Sequence, residues 1–184
     1  MRVHRYSTIV SLLIGLSGSI LAQEMEWSFL IGGSSTDRIN GLITDSENNV
    51  YVTGGFESTV DFDPDVSGNL SITSNGSLDI FLAKYDSTGA LSWAIGVGGS
   101  EIHNTHGDIA EDIALDSNGN IYITGHIGGD VDFDPSENEA ILFGLVPQDF
   151  FIAKYDNEGN YMWAHRGGSS YYESSTSNSI VIDG

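Results

Sequence analysis

The chain reads Asp45-Ser-Glu-Asn-Asn-Val-Tyr-Val-Thr-Gly54, and 71 residues later it reads Asp116-Ser-Asn-Gly-Asn-Ile-Tyr-Ile-Thr-Gly125. Two more blocks return in the same order at nearly the same spacing. They are Val60-Asp-Phe-Asp-Pro64 with Val131-Asp-Phe-Asp-Pro135, and Asp79-Ile-Phe-Leu-Ala-Lys-Tyr-Asp86 with Asp149-Phe-Phe-Ile-Ala-Lys-Tyr-Asp156. Such an internal repeat is typical of solenoids and propellers.

A fourth block extends the repeat beyond its two full copies. Trp93 and Trp163 are each followed by Gly-Gly-Ser, and Trp27 with Gly32-Gly33-Ser34 precedes the first full unit. At the other end, Ile180-Val-Ile-Asp183 resembles Ile113-Ala-Leu-Asp116 and predicts the start of a further unit.

Each unit has the composition of strands joined by tight turns. Short runs of Val, Ile, Tyr, Phe and Thr are bounded by Asp, Asn and Gly, which favours strands. Four turns begin with Asp, which accepts backbone N–H bonds, and have Gly or Asn at the fourth position, where a positive φ is tolerated. We expect four antiparallel strands per unit, which in the first unit are 41–45, 50–56, 79–85 and 91–97.

The strands that we expect at the centre of each unit contain continuous apolar runs, such as Ile80-Phe-Leu-Ala83 and Phe150-Phe-Ile-Ala153. Such runs indicate burial on both faces of the sheet, whereas a stack of small sandwiches would need one apolar face only. The sequence therefore predicts an all-β fold of β-propeller blades, with about two full blades plus a flanking strand at each end, an incomplete propeller.

The domain boundaries follow from the repeat. We expect a signal peptide at 1–22, the outer strand of an incomplete blade at 23–40, blades at 41–108 and 109–179, and the first strand of a truncated further blade at 180–184. Two units are fewer than the four to eight that close a propeller. We therefore expect the chain to be a fragment of a longer protein.

The first residues predict export. Arg2, His4 and Arg5 precede the apolar segment from Ile9 to Leu16, and small residues follow before Ala22. This order is that of a secretory signal peptide cleaved after Ala22. The alternative is a membrane anchor, but the apolar stretch is shorter than the roughly 20 residues that span a bilayer. We expect a secreted or cell-surface protein without a membrane span after cleavage.

The repeated blocks resemble the SBBP-type β-propeller repeats of bacterial proteins, and the resemblance extends from Trp27 to the end of the chain. It implies a propeller fold, secretion and occurrence in large surface or exported proteins. It implies no established catalytic activity and no catalytic residues. Other proteins of this type often end in a sorting domain, which we do not find in this sequence.

Composition excludes several function classes. The formal net charge is −20, so a phosphate backbone would be repelled and nucleic acid is not an expected partner. The chain has no cysteine, which excludes disulfides, thiolate metal sites and cysteine catalysis. No nucleophile elbow or phosphate loop is present.

Carboxylates beside the Val-Asp-Phe-Asp-Pro blocks are candidate ligands for Ca²⁺, which takes 6–8 oxygen ligands. The alternative is that these side chains cap a strand end or face solvent. The candidates are Asp61, Asp63, Asp65, Asp132, Asp134 and Glu137.

Two function classes remain. The first is a non-catalytic binding or structural scaffold, with an unknown protein or glycan at the cell surface as partner, together with further blades of the same or a longer chain. The alternative is the propeller scaffold of an extracellular hydrolase or quinoprotein-like enzyme whose catalytic residues lie outside this chain. Fold alone does not decide between them.

Overall fold

The computed structural model describes residues 8–10, 27–65, 67–100, 107–144, 148–168 and 175–183. All regular secondary structure in these segments is β-strand. No helix in the described segments has the length and apolar character needed to cross a membrane.

The first unit forms a four-stranded antiparallel sheet, here called blade 1, in which neighbouring strands follow chain order. Its strands are β3 (Asp37–Thr44), β4 (Val50–Asp61), β5 (Ser71–Tyr85) and β6 (Leu91–Val97). The prediction for β6 is confirmed to the residue. β4 and β5 are longer than expected because they pair again, Thr59 with Thr73, beyond a bulge at which Ser58 has φ 69°.

The second unit forms blade 2, with the same strand order. Its strands are β7 (Ile109–Leu115), β8 (Ile121–Ile127), β11 (Asp149–Tyr155) and β12 (Tyr161–Gly167). A short hairpin, β9 (Val131–Asp132) with β10 (Ile141–Leu142), lies between β8 and β11 in the chain. The two four-stranded blades confirm the predicted all-β propeller architecture.

The segment before blade 1 contributes β2 (Phe29–Ile31), which pairs with β1 (Thr8–Val10). β1 lies within the predicted signal peptide, and the rest of residues 1–22 lies outside the described segments. Ile31 is buried, and Trp27 and Phe29 pack on the core of blade 1.

The four predicted turns have the expected geometry. In each turn the Oδ1 of the leading aspartate accepts two backbone N–H bonds; Asp116 accepts those of Asn118 at 2.9 Å and Asn120 at 3.0 Å. The fourth residue has a positive φ in every case, including the single asparagine: Asn48 (62°), Gly89 (86°), Gly119 (78°) and Gly159 (83°). The aspartate and glycine pattern therefore defines the hairpins of each blade.

Two hydrophobic cores hold the sheets together, and each lies between two neighbouring layers of strands. One core packs β2 against blade 1 through Ile31, Val52 and Phe81. The other packs blade 1 against blade 2, with Leu82 of β5 and Phe151 of β11 both inaccessible to solvent. Each core is therefore a joint between one strand layer and the next blade.

The prediction that the central strands are buried on both faces of the sheet holds for blade 1 but not for blade 2. Residues 79–83 of β5 are all buried, as the apolar run predicts. In β11 buried and partly exposed residues alternate, and Phe150 and Ile152 are on the exposed side. The difference arises because blade 2 covers one face of blade 1, whereas within the described segments no second sheet covers the corresponding face of blade 2.

Candidate functional site at the joint between blades

A tryptophan from one layer covers a turn of the next blade at both joints. The Trp27 indole N–H donates to the Ser87 carbonyl at 3.2 Å, and the Trp93 indole N–H donates to the Asn157 carbonyl at 3.3 Å. Both carbonyls belong to the turn between the third and fourth strands of the blade that receives the ring. We call this contact the tryptophan latch.

The latch requires glycine beneath the ring. A Cβ on Gly89 would lie 2.9 Å from the Trp27 ring, and a Cβ on Gly159 would lie 3.1 Å from the Trp93 ring. Both glycines also have positive φ. Glycine at the fourth turn position therefore satisfies two requirements, the left-handed backbone and the close approach of the indole.

An aspartate, half-buried at position 37 and buried at position 108, fixes the Gly-Gly segment at each joint. The Gly33 N–H donates to Asp37 at 2.7 Å, and the Gly99 N–H donates to Asp108 at 3.1 Å. The other oxygen of Asp108 accepts the Gly128 N–H at 2.9 Å. Asp108 therefore connects the end of β6 in blade 1 to the end of β8 in blade 2.

The Val-Asp-Phe-Asp-Pro blocks fill the same joints with their apolar residues. Phe62 and Phe133 are buried, and their carbonyls accept hydrogen bonds from Tyr85 and Tyr155, each at 2.9 Å. Because side chains alternate along an extended segment, the aspartates between these apolar residues point the other way.

The predicted calcium ligands mostly act as turn acceptors. Asp61 accepts the N–H groups of Asp63 at 3.1 Å and Leu70 at 3.0 Å, and Asp132 accepts that of Ala140 at 2.8 Å. Asp63 accepts the N–H group of Asp65, Asp65 accepts that of Ser67, and Asp134 accepts that of Ser136. Glu137 is exposed. In the described segments no three His, Asp or Glu side chains are grouped to hold a metal ion. The calcium site stays a prediction.

The joint between the blades buries two acidic side chains close together. Asp79 is 2% exposed and Asp108 is 6% exposed. Burial raises the pKa of Asp79 to about 6, although the Asn75 N–H opposes the shift. Burial, opposed by the Gly128 and Gly99 N–H groups and reinforced by the charge of Asp79, raises the pKa of Asp108 to about 7.

The second copy of this site contains a cation. Asp149 is the repeat equivalent of Asp79, and the Arg166 guanidinium lies 2.7 Å from it. The strand position equivalent to Arg166 in blade 1 is Gly96, because Gly96 pairs with Phe81 as Arg166 pairs with Phe151. One repeat therefore pairs its buried carboxylate with an arginine, whereas the other places a second buried carboxylate beside it.

These aspartates were not among the predicted site residues. They recur at the repeat period, Asp37 with Asp108 and Asp79 with Asp149. An aspartate that recurs near the start of a predicted strand in both units was the sequence signal that could have identified them. The packing of the Val-Asp-Phe-Asp-Pro blocks into the joints was also not predicted. Their alternation of apolar and acidic residues was the signal for one buried side.

We expect Gly159→Ala to destabilise the protein more than Gly119→Ala. Both changes place a Cβ on a residue with positive φ, but only Gly159 lies under a tryptophan, while a Cβ on Gly119 would meet its nearest atom at 3.7 Å. Urea unfolding should show a difference of about 1 kcal/mol or more between the two variants. Equal losses would contradict a role for the latch.

We expect Asp79→Asn and Asp149→Asn to have opposite effects at pH 8. The folded-state pKa values of Asp79 and Asp108 lie above the ordinary 3.8, so the folded form binds more protons than the unfolded chain between about pH 4 and pH 7. These groups therefore lower stability as pH rises through that window. A neutral side chain at position 79 should raise the free energy of unfolding at pH 8 by about 1 kcal/mol or more and have little effect near pH 4.

The matched control, Asp149→Asn, removes the partner of Arg166 and should destabilise the protein at pH 8. Urea unfolding of both variants at pH 4 and pH 8 measures the two effects. A loss of stability in both variants at pH 8 would show that Asp79 is a stabilising carboxylate, contrary to this account.

Comparison with known proteins identifies the repeat. Residues 26–55 and 99–131 match the family model for the SBBP beta-propeller repeat. An uncharacterized WD repeat-containing protein of Acanthamoeba polyphaga mimivirus is 28% identical over 74% of this chain, and the regulatory protein FlaEY of Caulobacter vibrioides is 25% identical over 73% of it. The chain spans 11% and 13% of the length of these two relatives. The matched segments contain Trp27 and Asp37, and Gly99 and Asp108, so residues of both joints lie within the segments that match the SBBP beta-propeller repeat model.

Proposed function

We propose that this chain is a non-catalytic scaffold module of an exported or cell-surface protein, in which repeated blades build a rigid surface for a protein or glycan partner. The proposal is supported by the contacts that the repeated residues make. Trp93, Gly99 and Asp108 all form contacts between layers. A sequence whose recurrent polar and aromatic residues connect blades is suited to assembly.

Charge and turn chemistry support the same proposal. The aspartates of the turns use their oxygens to hold the backbone, as Asp86 does for the N–H groups of Thr88 at 2.8 Å and Ala90 at 3.0 Å. Much of the negative charge of the chain therefore comes from aspartates that hold turns, and each repeat of the unit adds more of them. It also disfavours anionic partners.

Export is the part of the proposal that a single experiment tests most directly. The full chain is expressed in a bacterial host, and its N-terminus is determined by mass spectrometry after cell fractionation. We expect a periplasmic or extracellular protein that begins at Gln23, because Ala22 ends a signal peptide that matches the export machinery. Ala22→Leu should block cleavage, since a bulky residue does not fit the position before the cut, while Ala22→Gly should leave it intact.

The same experiment distinguishes the two roles open to β1. A protein that stays in the cytoplasm with residue 1 intact would contradict export and would leave β1 as a permanent partner of β2. Cleavage at Gln23 would remove β1, and β2 would then be held by the core contacts of Phe29 and Ile31.

A further inference from the structure

The short hairpin between β8 and β11 has two exposed apolar side chains, here called the hairpin patch. Phe143 is 68% exposed and Ile141 is 40% exposed. Leu142, between them, packs against the core that blade 1 and blade 2 share. Because side chains alternate along an extended segment, Ile141 and Phe143 lie together on the side of the hairpin that is turned away from this core.

The same hairpin in blade 1 has polar residues at these positions. β10 pairs with β9 in the register in which the beginning of β5 pairs with the end of β4, so Ser71 and Thr73 are the equivalents of Ile141 and Phe143. The hydroxyl of Thr73 lies 2.8 Å from that of Thr59 on the neighbouring strand. The scaffold therefore does not require apolar side chains at these two positions.

Packing of one blade on the next does not explain the hairpin patch either. Blade 1 has blade 2 packed against it through the shared core, yet Ser71 and Thr73 are exposed. A layer added to blade 2 in the same way would leave Ile141 and Phe143 exposed. Apolar surface that neither the fold of a blade nor the contact between blades requires indicates an interaction site.

The hairpin patch is surrounded by negative charge. Residues 128–144 contain five carboxylates and neither lysine nor arginine. Asp132 pairs directly with Ile141 across the hairpin, and the continued antiparallel register places Asp130 opposite Phe143. Directly opposite residues project to the same side of an antiparallel pair. An acidic residue therefore lies beside each of the two apolar side chains.

The hairpin patch also lies on an edge strand. Among the described residues β10 pairs only with β9, in a two-stranded sheet. An edge strand presents backbone N–H and C=O groups that can pair with an added strand, and proteins usually protect such edges with charged side chains. Here Ile141 and Phe143 occupy the edge instead. An extended peptide can therefore pair with β10 while its side chains contact the hairpin patch.

The charge of the hairpin selects among the possible occupants. A second copy of this chain would bring the same five carboxylates against the hairpin, and an anionic lipid surface would also be repelled. A protein segment with an apolar side chain between lysine or arginine residues is complementary to both the apolar and the charged parts of this surface. The observations therefore favour a basic peptide.

We propose that the hairpin patch of blade 2 binds an extended basic segment of another protein, in which an apolar side chain lies between lysine or arginine residues. The proposal rests on the scaffold function and adds the binding surface and the chemistry of the partner. The apolar side chain of the partner packs against Phe143 and Ile141, and its basic side chains lie beside Asp130 and Asp132.

Selection from a library of random dodecapeptides displayed on phage tests the proposal, with the immobilised full chain as the target. The test variant combines Ile141→Ser with Phe143→Thr, which gives the hairpin the residues that blade 1 has. The matched control is Met162→Ser. Met162 is a 48% exposed apolar side chain on β12, and the equivalent residue of blade 1 is Ser92. Circular dichroism and thermal unfolding verify that each variant is folded.

We expect the parent and the Met162→Ser variant to enrich peptides that have an apolar residue between basic residues, and the double variant not to enrich them. A synthetic peptide of the enriched sequence should bind the double variant at least about tenfold more weakly than the parent, because a few anchor residues contribute most of the binding energy. Its binding to the parent should weaken between about 50 and about 500 mM NaCl, because salt screens the attraction between the charges.

Other results would overturn the proposal. Enrichment of the same peptides on the double variant would locate the binding site elsewhere on the scaffold. Enrichment of acidic or uncharged peptides, or of none, would contradict a basic partner. Self-association in sedimentation experiments, or binding to a glycan array, that the double variant abolishes would show that a second copy or a glycan occupies the hairpin patch. Each of these results leaves the scaffold function standing, and none depends on export, so the proposals fail independently.

Discussion

A sheet with apolar side chains on both faces is stable in water only when another layer packs on each face, and the structure depends on this requirement. Burial of apolar surface is the main favourable term in folding, and a four-stranded sheet alone cannot cover its own faces. In this chain the contacts that supply the cover come from the next repeat. Leu82 of blade 1 and Phe151 of blade 2 are buried against one shared core. The joint between blades is therefore the stabilising unit.

The repeated motifs are best understood as parts of this joint. The Trp27 and Trp93 rings cover glycine turns, Asp37 and Asp108 hold the Gly-Gly backbone, and the phenylalanine hairpins fill the space between layers. The Trp93 ring and Asp108 each contact a different motif of the neighbouring unit. Such complementarity explains why several blocks repeat together in fixed order, since altering one leaves its partner in the next blade without its contact.

Local chemistry made much of the fold predictable from sequence. The turn at Asp86–Gly89 and the strand Leu91–Val97 follow from short-range patterns of aspartate, glycine and β-branched residues, and both are present as predicted. Contacts between units were harder to predict. Phe62 lies in a block that reads as a polar turn, and its burial depends on a layer that the local sequence does not specify. Asp79 looks like a strand-end residue, and its pKa is raised because the fold buries it. The apolar pattern also predicts burial of Phe150. Phe150 is only partly buried, because within the described segments no second sheet covers that face of blade 2.

The two copies also show how one scaffold position accommodates different electrostatics. Asp149 has Arg166 at 2.7 Å, whereas Asp79 has a buried acidic neighbour, although the backbone around the two is closely similar. Removing one member of a buried ion pair destabilises a fold, whereas neutralising a buried carboxylate that has no cation beside it relieves the cost of burying its charge. Repetition of the fold therefore does not impose repetition of its charge interactions.

Native-state hydrogen exchange tests the central claim, that the joint makes the two blades one cooperative unit. The amides of β4 and β5 in blade 1 and of β8 and β11 in blade 2 would be followed at increasing denaturant concentration. We expect both sets to open with the same free energy, within about 1 kcal/mol, because blade 2 and one face of blade 1 share a single core. Blade 1 amides that stay protected while those of blade 2 exchange freely would contradict it.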